Sequence, residues 1–384
     1  MTPRMATFLM FVVNGEIVGT WIAFIPGIQS SMRASATEIG LVLLVAATGA
    51  LVAQQITGQL LVRVSSRRML TAAAVVFPLL VPLPLLAPDP LVLAVVLFGF
   101  GFVNTTMDVS MNAHGVALET SAGRSIFSGL HAGWSIGGVI GAVGVALALA
   151  IDVDPLLEAV VAALAFWGVA LAASRFLGVG SVRTEGASGV HLPSRRVLPI
   201  ALLVILIAFV EGGLTDWGGV YLRQGVGAEA EVAAFAYAAF SLGLFLGRIG
   251  GDRAKDGIGS IRLIQWGMLL AAAAIAVFLV VGDEWVALVG MVVAGIGIAN
   301  TIPQIFGAAG RIAPPGPSLS AVFTSLTLAF MAGPAIIGVA SDAVGIGTAL
   351  GLLVIASVVV ALVVPRVPAA ETNPRFRSEP ASAG

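Results

Sequence analysis

The stretch Gly99–His114, GFGFVNTTMDVSMNAH, closes an apolar segment and places Asn104, Asp108 and Asn112 at i, i+4 and i+8. On a helix those three residues share one face. A carboxylate near the centre of a bilayer costs about 2.5–3.5 kcal/mol on insertion scales, so such a face turns toward protein or a water-filled path. The stretch also has a counterpart. At an offset of 196 residues the chain reads GIGIANTIPQIFGAAG, so that Gly99, Gly101, Asn104 and Thr105 meet Gly295, Gly297, Asn300 and Thr301, and Asp108 meets Gln304. A polar, glycine-marked apolar segment that recurs half a chain away points to two related halves.

Composition agrees. Of 384 residues, 58% are hydrophobic and only 10% charged, a balance that soluble domains do not have. The net charge of −1 gives no bulk field for nucleic acid, and with no cysteine there are no disulfides, thiolate metal sites or cysteine nucleophiles. No cofactor is expected. The first apolar run is too long for a cleavable leader and contains Glu16, so it reads as a retained span.

At about 20 apolar residues per spanning helix, twelve candidates emerge, at 6–28, 37–62, 69–87, 91–113, 125–150, 155–178, 197–222, 229–250, 260–282, 285–308, 317–341 and 345–365. The expected organisation is a six-helix bundle over 1–178, a linker loop at 179–196, a second six-helix bundle over 197–365, and a disordered tail at 366–384. If the N-terminus is cytoplasmic, every Lys and Arg except Arg33 and Arg223 falls on the cytoplasmic side. That asymmetry predicts cytoplasmic termini in a bacterial inner membrane. At the same offset Trp21 meets Trp217, and Phe127, Leu130 and Gly137 meet Phe323, Leu326 and Gly333. Because six spans is an even number, the two copies are parallel repeats.

These features resemble the major facilitator superfamily. The passage GQLLVRVSSRRM is similar to that family's G-x-L-a-D-R-x-G-R-R loop, matching at Gly58, Leu60, Arg63, Arg67 and Arg68, with Val62 and Ser65 in place of the usual Asp and Gly. After span 8, GRIGGDRAKDG retains Asp252 and Arg253. The resemblance implies a gating role for Gly58, Arg63, Arg67, Arg68, Asp252 and Arg253. Four passages, GTWIAFIPGIQ, DVSMNAHGVALE, GLHAGWSIGG and EGGLTDWGGVYLR, look like the MosC-like branch related to fucose permease. The resemblance implies an all-α membrane protein of twelve transmembrane helices that moves a small-molecule substrate by alternating access. Its expected partners are that solute, protons and the lipid bilayer, and it is expected to be a monomer.

Four acids lie well inside the spans, Glu16, Asp108, Glu211 and Asp216, with no Lys or Arg at comparable depth. A carboxyl without a basic partner in a poorly hydrated site can load a proton in one state and release it in another. Glu16 and Asp108, on spans 1 and 4, occupy the helices whose acids carry coupling in fucose-permease-like proteins, and they are the proton-coupling candidates. Asn104, His131, Glu211, Asn300, Gln304, Trp21 and Asp216 are the substrate-site candidates, offering neutral and charged hydrogen-bonding groups and a ring to stack on. Each has a plainer reading as an interhelical contact. Gly212 and Gly213 invite a break in span 7. No second His or acid stands at ligand spacing from His131, so a metal site is not expected. GWSIG in span 5 matches G-x-S-x-G, but a hydrolase needs that motif on a strand–turn–helix elbow, and here it lies in a helix whose Gly133, Gly137 and Gly141 form a close-packing face.

The leading expectation is a proton-coupled secondary transporter of a small polar, sugar- or polyol-like solute. Its alternatives are a proton-antiport exporter of amphipathic or drug-like compounds and a transport-dead sensor or scaffold. No enzyme is expected.

Overall fold

The computed structural model describes residues 1–122, 126–178, 193–309, 312 and 315–367. The expected linker and tail lie outside these, apart from 193–196 and 366–367. The helices are α1 (Pro3–Met32), α2 (Ala36–Leu60), α3 (Ser66–Val76), α4 (Pro90–Ala122), α5 (Phe127–Ala150), α6 (Pro155–Ser174), α7 (Leu198–Val220), α8 (Ala230–Ile258), α9 (Ser260–Val281), α10 (Glu284–Ile298), α11 (Thr301–Ala309), α12 (Pro315–Val344) and α13 (Ile346–Val363). Together they make twelve helical segments long and apolar enough to cross a membrane, with α10 and α11 sharing the tenth. No strand occurs among the described residues.

Local chemistry explains the ends and the irregularities. Pro3 and Pro155 open α1 and α6, where a missing N–H costs nothing. Asp154 caps α6 by accepting from the Leu156 and Leu157 amides. Beyond α3 the chain tightens into two 3₁₀ turns, Phe77–Leu80 and Leu83–Leu86, because Pro78, Pro82 and Pro84 cannot donate to an α-helical ladder. The segment expected as one helix over 285–308 is interrupted at Ala299–Asn300. Pro303 has no N–H for the Ala299 carbonyl, and Thr301 Oγ1 donates to the Ile298 carbonyl at 2.7 Å. In the first half Met107 stands at the equivalent position, and α4 runs unbroken.

The break expected at Gly212–Gly213 does not occur, because α7 is continuous from Leu198 to Val220. The missing side chains admit other helices instead. Phe330 of α12 lies over Gly212, and Leu353 of α13 with Ile337 of α12 lies over Gly213.

Packing repeats between the halves. α1 packs on α5 and α6 as α7 packs on α12 and α13; α2 lies on α4 as α8 lies on α10; α3 meets α6 as α9 meets α13. The halves join through α2 with α12 and through α5 with α8, two seams related by the same internal symmetry, and α1 also touches α7 and α8. Glycines set the closest approaches. Gly15 and Gly19 of α1 abut the Trp134 and Gly138 backbone of α5, and Gly137 and Gly141 of α5 abut Val12 and Glu16 of α1. The glycine face expected on span 5 is therefore the seat of α1.

One end of the seam between the halves is shut. Gly40 and Gly338 bring α2 and α12 into backbone contact, with a Cβ on Gly40 only 2.7 Å from the Pro334 carbonyl oxygen. Asp342 of α12 accepts from the Ala36 and Thr37 amides at 3.0 and 2.8 Å. Ser35 and Glu38 complete a capping box on the same turn. The first amides of α2 are thus satisfied partly by the opposite half of the molecule.

Candidate functional site

α1 contributes Asn14, which is 1% exposed. Its Nδ2 donates to Asn104 Oδ1 of α4 at 2.9 Å, and its Oδ1 accepts from Trp134 Nε1 of α5 at 2.9 Å. One carboxamide therefore ties three helices of the first half together, with Asn104 and Trp134 both half-buried. One turn along α4, Asp108 accepts from Asn112 Nδ2 at 3.0 Å and is also half-buried. The polar face expected on this helix is present.

A second cluster spans both halves where α5 meets α8. Arg248 donates to Ser135 Oγ at 3.1 Å, crossing from α8 to α5. Its guanidinium acts electrostatically on His131 of α5, on Glu211 of α7 and on Tyr237 of α8. Tyr237 also feels Asp216 and lies against Gly138. The ring of His131 meets Phe11 edge-on, with centroids 5.1 Å apart. The expectation of no basic group at the depth of these acids is therefore corrected. Arg248 stands about two-thirds of the way along α8, and its long side chain crosses to Ser135 of α5.

Glu16 has a different setting. It is 2% exposed and lies on the α1 face that seats against Gly137 and Gly141 of α5. Thr20 Oγ1 donates to its Oε1 at 3.1 Å, and its Oε2 is buried without a hydrogen-bond partner. Its hydrogen bond and its α5 contacts lie within the first half.

Other candidates make contacts between helices. Trp21 is half-buried against the Phe100 ring of α4, with centroids 6.0 Å apart. Asn300 Nδ2 donates to the Gly247 carbonyl at 2.8 Å, and Gln304 Oε1 accepts from Ser260 Oγ at 2.8 Å, so both join helices within the second half. Of the expected gating group, Arg63, Arg68 and Arg253 are exposed, Gly58 faces open space, and half-buried Arg67 reaches the electrostatic neighbourhood of His114. The Asp252 side chain lies outside the described residues.

Sequence reasoning passed over Asn14 and Tyr237 and counted Arg248 among the loop charges. Asn14 stands alone in an apolar run just before Gly15 and Glu16, a signal as strong as that of Asn104. Tyr237 is one of only two tyrosines. Arg248 reads as a loop charge until α8 is placed.

Two six-helix units of membrane-length apolar helices, meeting along two symmetry-related seams, define a multi-span membrane protein of transporter-like architecture. Residues 6–318 match the sequence model of the Major Facilitator Superfamily, and the chain belongs to that family. It is a transporter, not an enzyme. It is 29% identical over 368 residues to the membrane protein MosC of Rhizobium meliloti, covering 93% of this chain and 88% of MosC. Its fold is similar to that of the nucleoside transporter NupG, with a TM-score of 0.78 at 14% identity, covering 96% of this chain and 100% of that one. It is also similar to the fucose:proton symporter FucP of E. coli, with a TM-score of 0.64 at 16% identity, covering 97% and 99%.

Proposed function

We propose that this transporter moves a small, hydroxyl-rich polar solute in company with protons, by alternating access through the junction of its two halves. The observation that carries this reading is the polar cluster at α1, α4, α5, α7 and α8. Asn104, Asp108, His131, Trp134, Ser135, Glu211, Asp216 and Arg248 supply donors, acceptors and an aromatic face in a mostly apolar bundle. Neutral carboxamides and a tryptophan ring suit hydroxyl-bearing rings, and Arg248, hydrogen-bonded to α5 of the first half, acts electrostatically on Glu211 of the second. Solutes of that chemistry are named for the structural neighbours NupG and FucP. Glu16 and Asp108 are the coupling groups of this reading, and Asn300 and Gln304 serve helix packing.

The distribution of basic residues supports cytoplasmic termini and a bacterial inner membrane. On that assignment the end shut by Asp342 is the outer one, and the protein acts as a monomer whose loop after α2 gates the inner side.

The test begins with a thermal-shift screen of sugars, polyols, nucleosides and amino compounds on purified protein. Uptake of a hit into proteoliposomes is then measured under an imposed pH gradient. Acid-outside uptake that is lost in Glu16→Gln and Asp108→Asn is the expected result. Uptake whose pH dependence survives both substitutions removes the mechanism.

A further inference from the structure

On α6, which packs against α1, a second carboxyl stands within electrostatic reach of Glu16. Glu158 stands one turn into α6 from the cap residue Asp154. Its Oε1 lies 3.6 Å from where a Cβ on Gly144 would stand, while the Glu16 carbonyl and Thr20 pack on Gly141, one turn earlier on the same α5 face. Both acids therefore border adjacent turns of one glycine-lined groove. The two carboxyls repel across it, and Glu158 is the charged group whose field reaches Glu16. Each has its Oε2 buried without a hydrogen-bond partner.

The other neighbours of Glu16 do not neutralise it. α5 offers glycines at the contact, and its His131 lies two turns away against Phe11. On α4, Asp108 is bonded to Asn112. On α7 and α8, Glu211, Asp216, Tyr237 and Arg248 act on one another. Two carboxyls at adjacent turns of α5, each with a buried oxygen that lacks a partner, fit a single shared positive charge, and a proton is the smallest that the groove would take.

We propose that Glu16 and Glu158 form a proton-holding pair within the first half, separate from the solute site, with Glu158 as its door to water. Glu158 is half-buried, and Asp152 and Asp154 just beyond it are exposed. A proton taken by Glu158 passes to the Glu16 carboxylate, leaving Glu158 as the carboxylate, with no other bond made or broken. The inference rests on the proton-coupled reading and adds a route: protons and solute reach the protein by different paths.

Two measurements on the full-length chain test it. The first needs no substrate. Infrared difference spectra recorded through a pH titration follow the carboxyl carbonyl signals in wild type, Glu16→Gln, Glu158→Gln and Asp108→Asn. Each glutamate substitution is expected to remove one signal and to move the midpoint of the other, while Asp108→Asn moves neither. Midpoints that ignore one another overturn the pair.

The second compares gradient-driven uptake with solute exchange at equal pH, using a hit from the screen. Glu158→Gln is expected to lower gradient-driven uptake by about tenfold or more, a modest share of what a positioned proton-transfer group contributes, and to spare exchange. Loss of both together marks a packing defect and overturns the relay, as does wild-type coupling in Glu158→Gln. Uptake driven by a sodium gradient, lost in the same variants, overturns the proton as occupant. A wild type that ignores pH gradients sinks the coupled reading and the relay with it, whereas the infrared result separately decides the pair.

Discussion

Asn14 donates to Asn104 and accepts from Trp134, so replacing it leaves two polar atoms of neighbouring helices without partners. Stranding a buried donor or acceptor costs about 1–3 kcal/mol. Asn14→Leu is therefore expected to lower the melting temperature in detergent, read by tryptophan fluorescence. Asn14→Asp, which keeps the acceptor for Trp134, should lower it less. A cycle with Asn104→Ala should be non-additive, and an unchanged melting temperature in Asn14→Leu would show that the bridge carries no weight. Arg248 makes the companion case. Arg248→Gln removes the charge beside Glu211 and His131, and it should weaken binding of a screened solute more than Arg248→Lys does. Equal binding by all three proteins would place Arg248 outside the site. Asp108 and Glu211 were legible as isolated acids in apolar runs. Arg248 was not, because its place within a helix that outruns the apolar segment, and the way its long side chain turns, depend on the helix beside it.

Glycines show what a repeat preserves and what it does not. Gly99 and Gly101 have sequence counterparts in Gly295 and Gly297, yet their uses differ. Gly101 abuts the Ala46 carbonyl of α2 and Gly99 faces open space, whereas Gly295 meets α8 and Gly297 meets α9. Gly101→Ala forces a clash between backbones and is expected to destabilise by about 1–3 kcal/mol. Gly99→Ala relieves a flexible residue in a helix and should be neutral or stabilising by up to about 1 kcal/mol. Thermal unfolding of the two variants checks the contrast, and equal melting temperatures would contradict the packing described. The interruption between α10 and α11 was readable in principle from Pro303. The continuity of α7 through Gly212 and Gly213 was not, because it depends on Phe330, Ile337 and Leu353 arriving from other helices.

For the whole molecule, the Asp342 contact with the start of α2 ties the halves at one end. Bonds of this capping kind contribute about 0.5–2 kcal/mol, and one to two kcal/mol is a factor of about 5–30 in a two-state ratio. Asp342→Ala should therefore shift the resting population toward the state open at that end. The protein contains no cysteine, so spin labels at Arg33→Cys and Val344→Cys can report the distance without background. A longer, broader distribution in Asp342→Ala is expected, and an unchanged one would mean that the Gly40–Gly338 contact alone holds the end shut.

By itself the sequence determined the twelve apolar segments, the doubled six-helix plan and the acids that merit attention. Each rests on local cost: a spanning segment must be apolar over its own length, and a buried acid stands out against that background. Only the tertiary structure decided which polar residues share a seam. It gave Asn300 and Gln304 partners within the second half, seated Glu16 against α5 and brought Arg248 to Ser135. Those outcomes follow from how helices rotate and cross, which glycine contacts between distant segments fix and no single segment encodes.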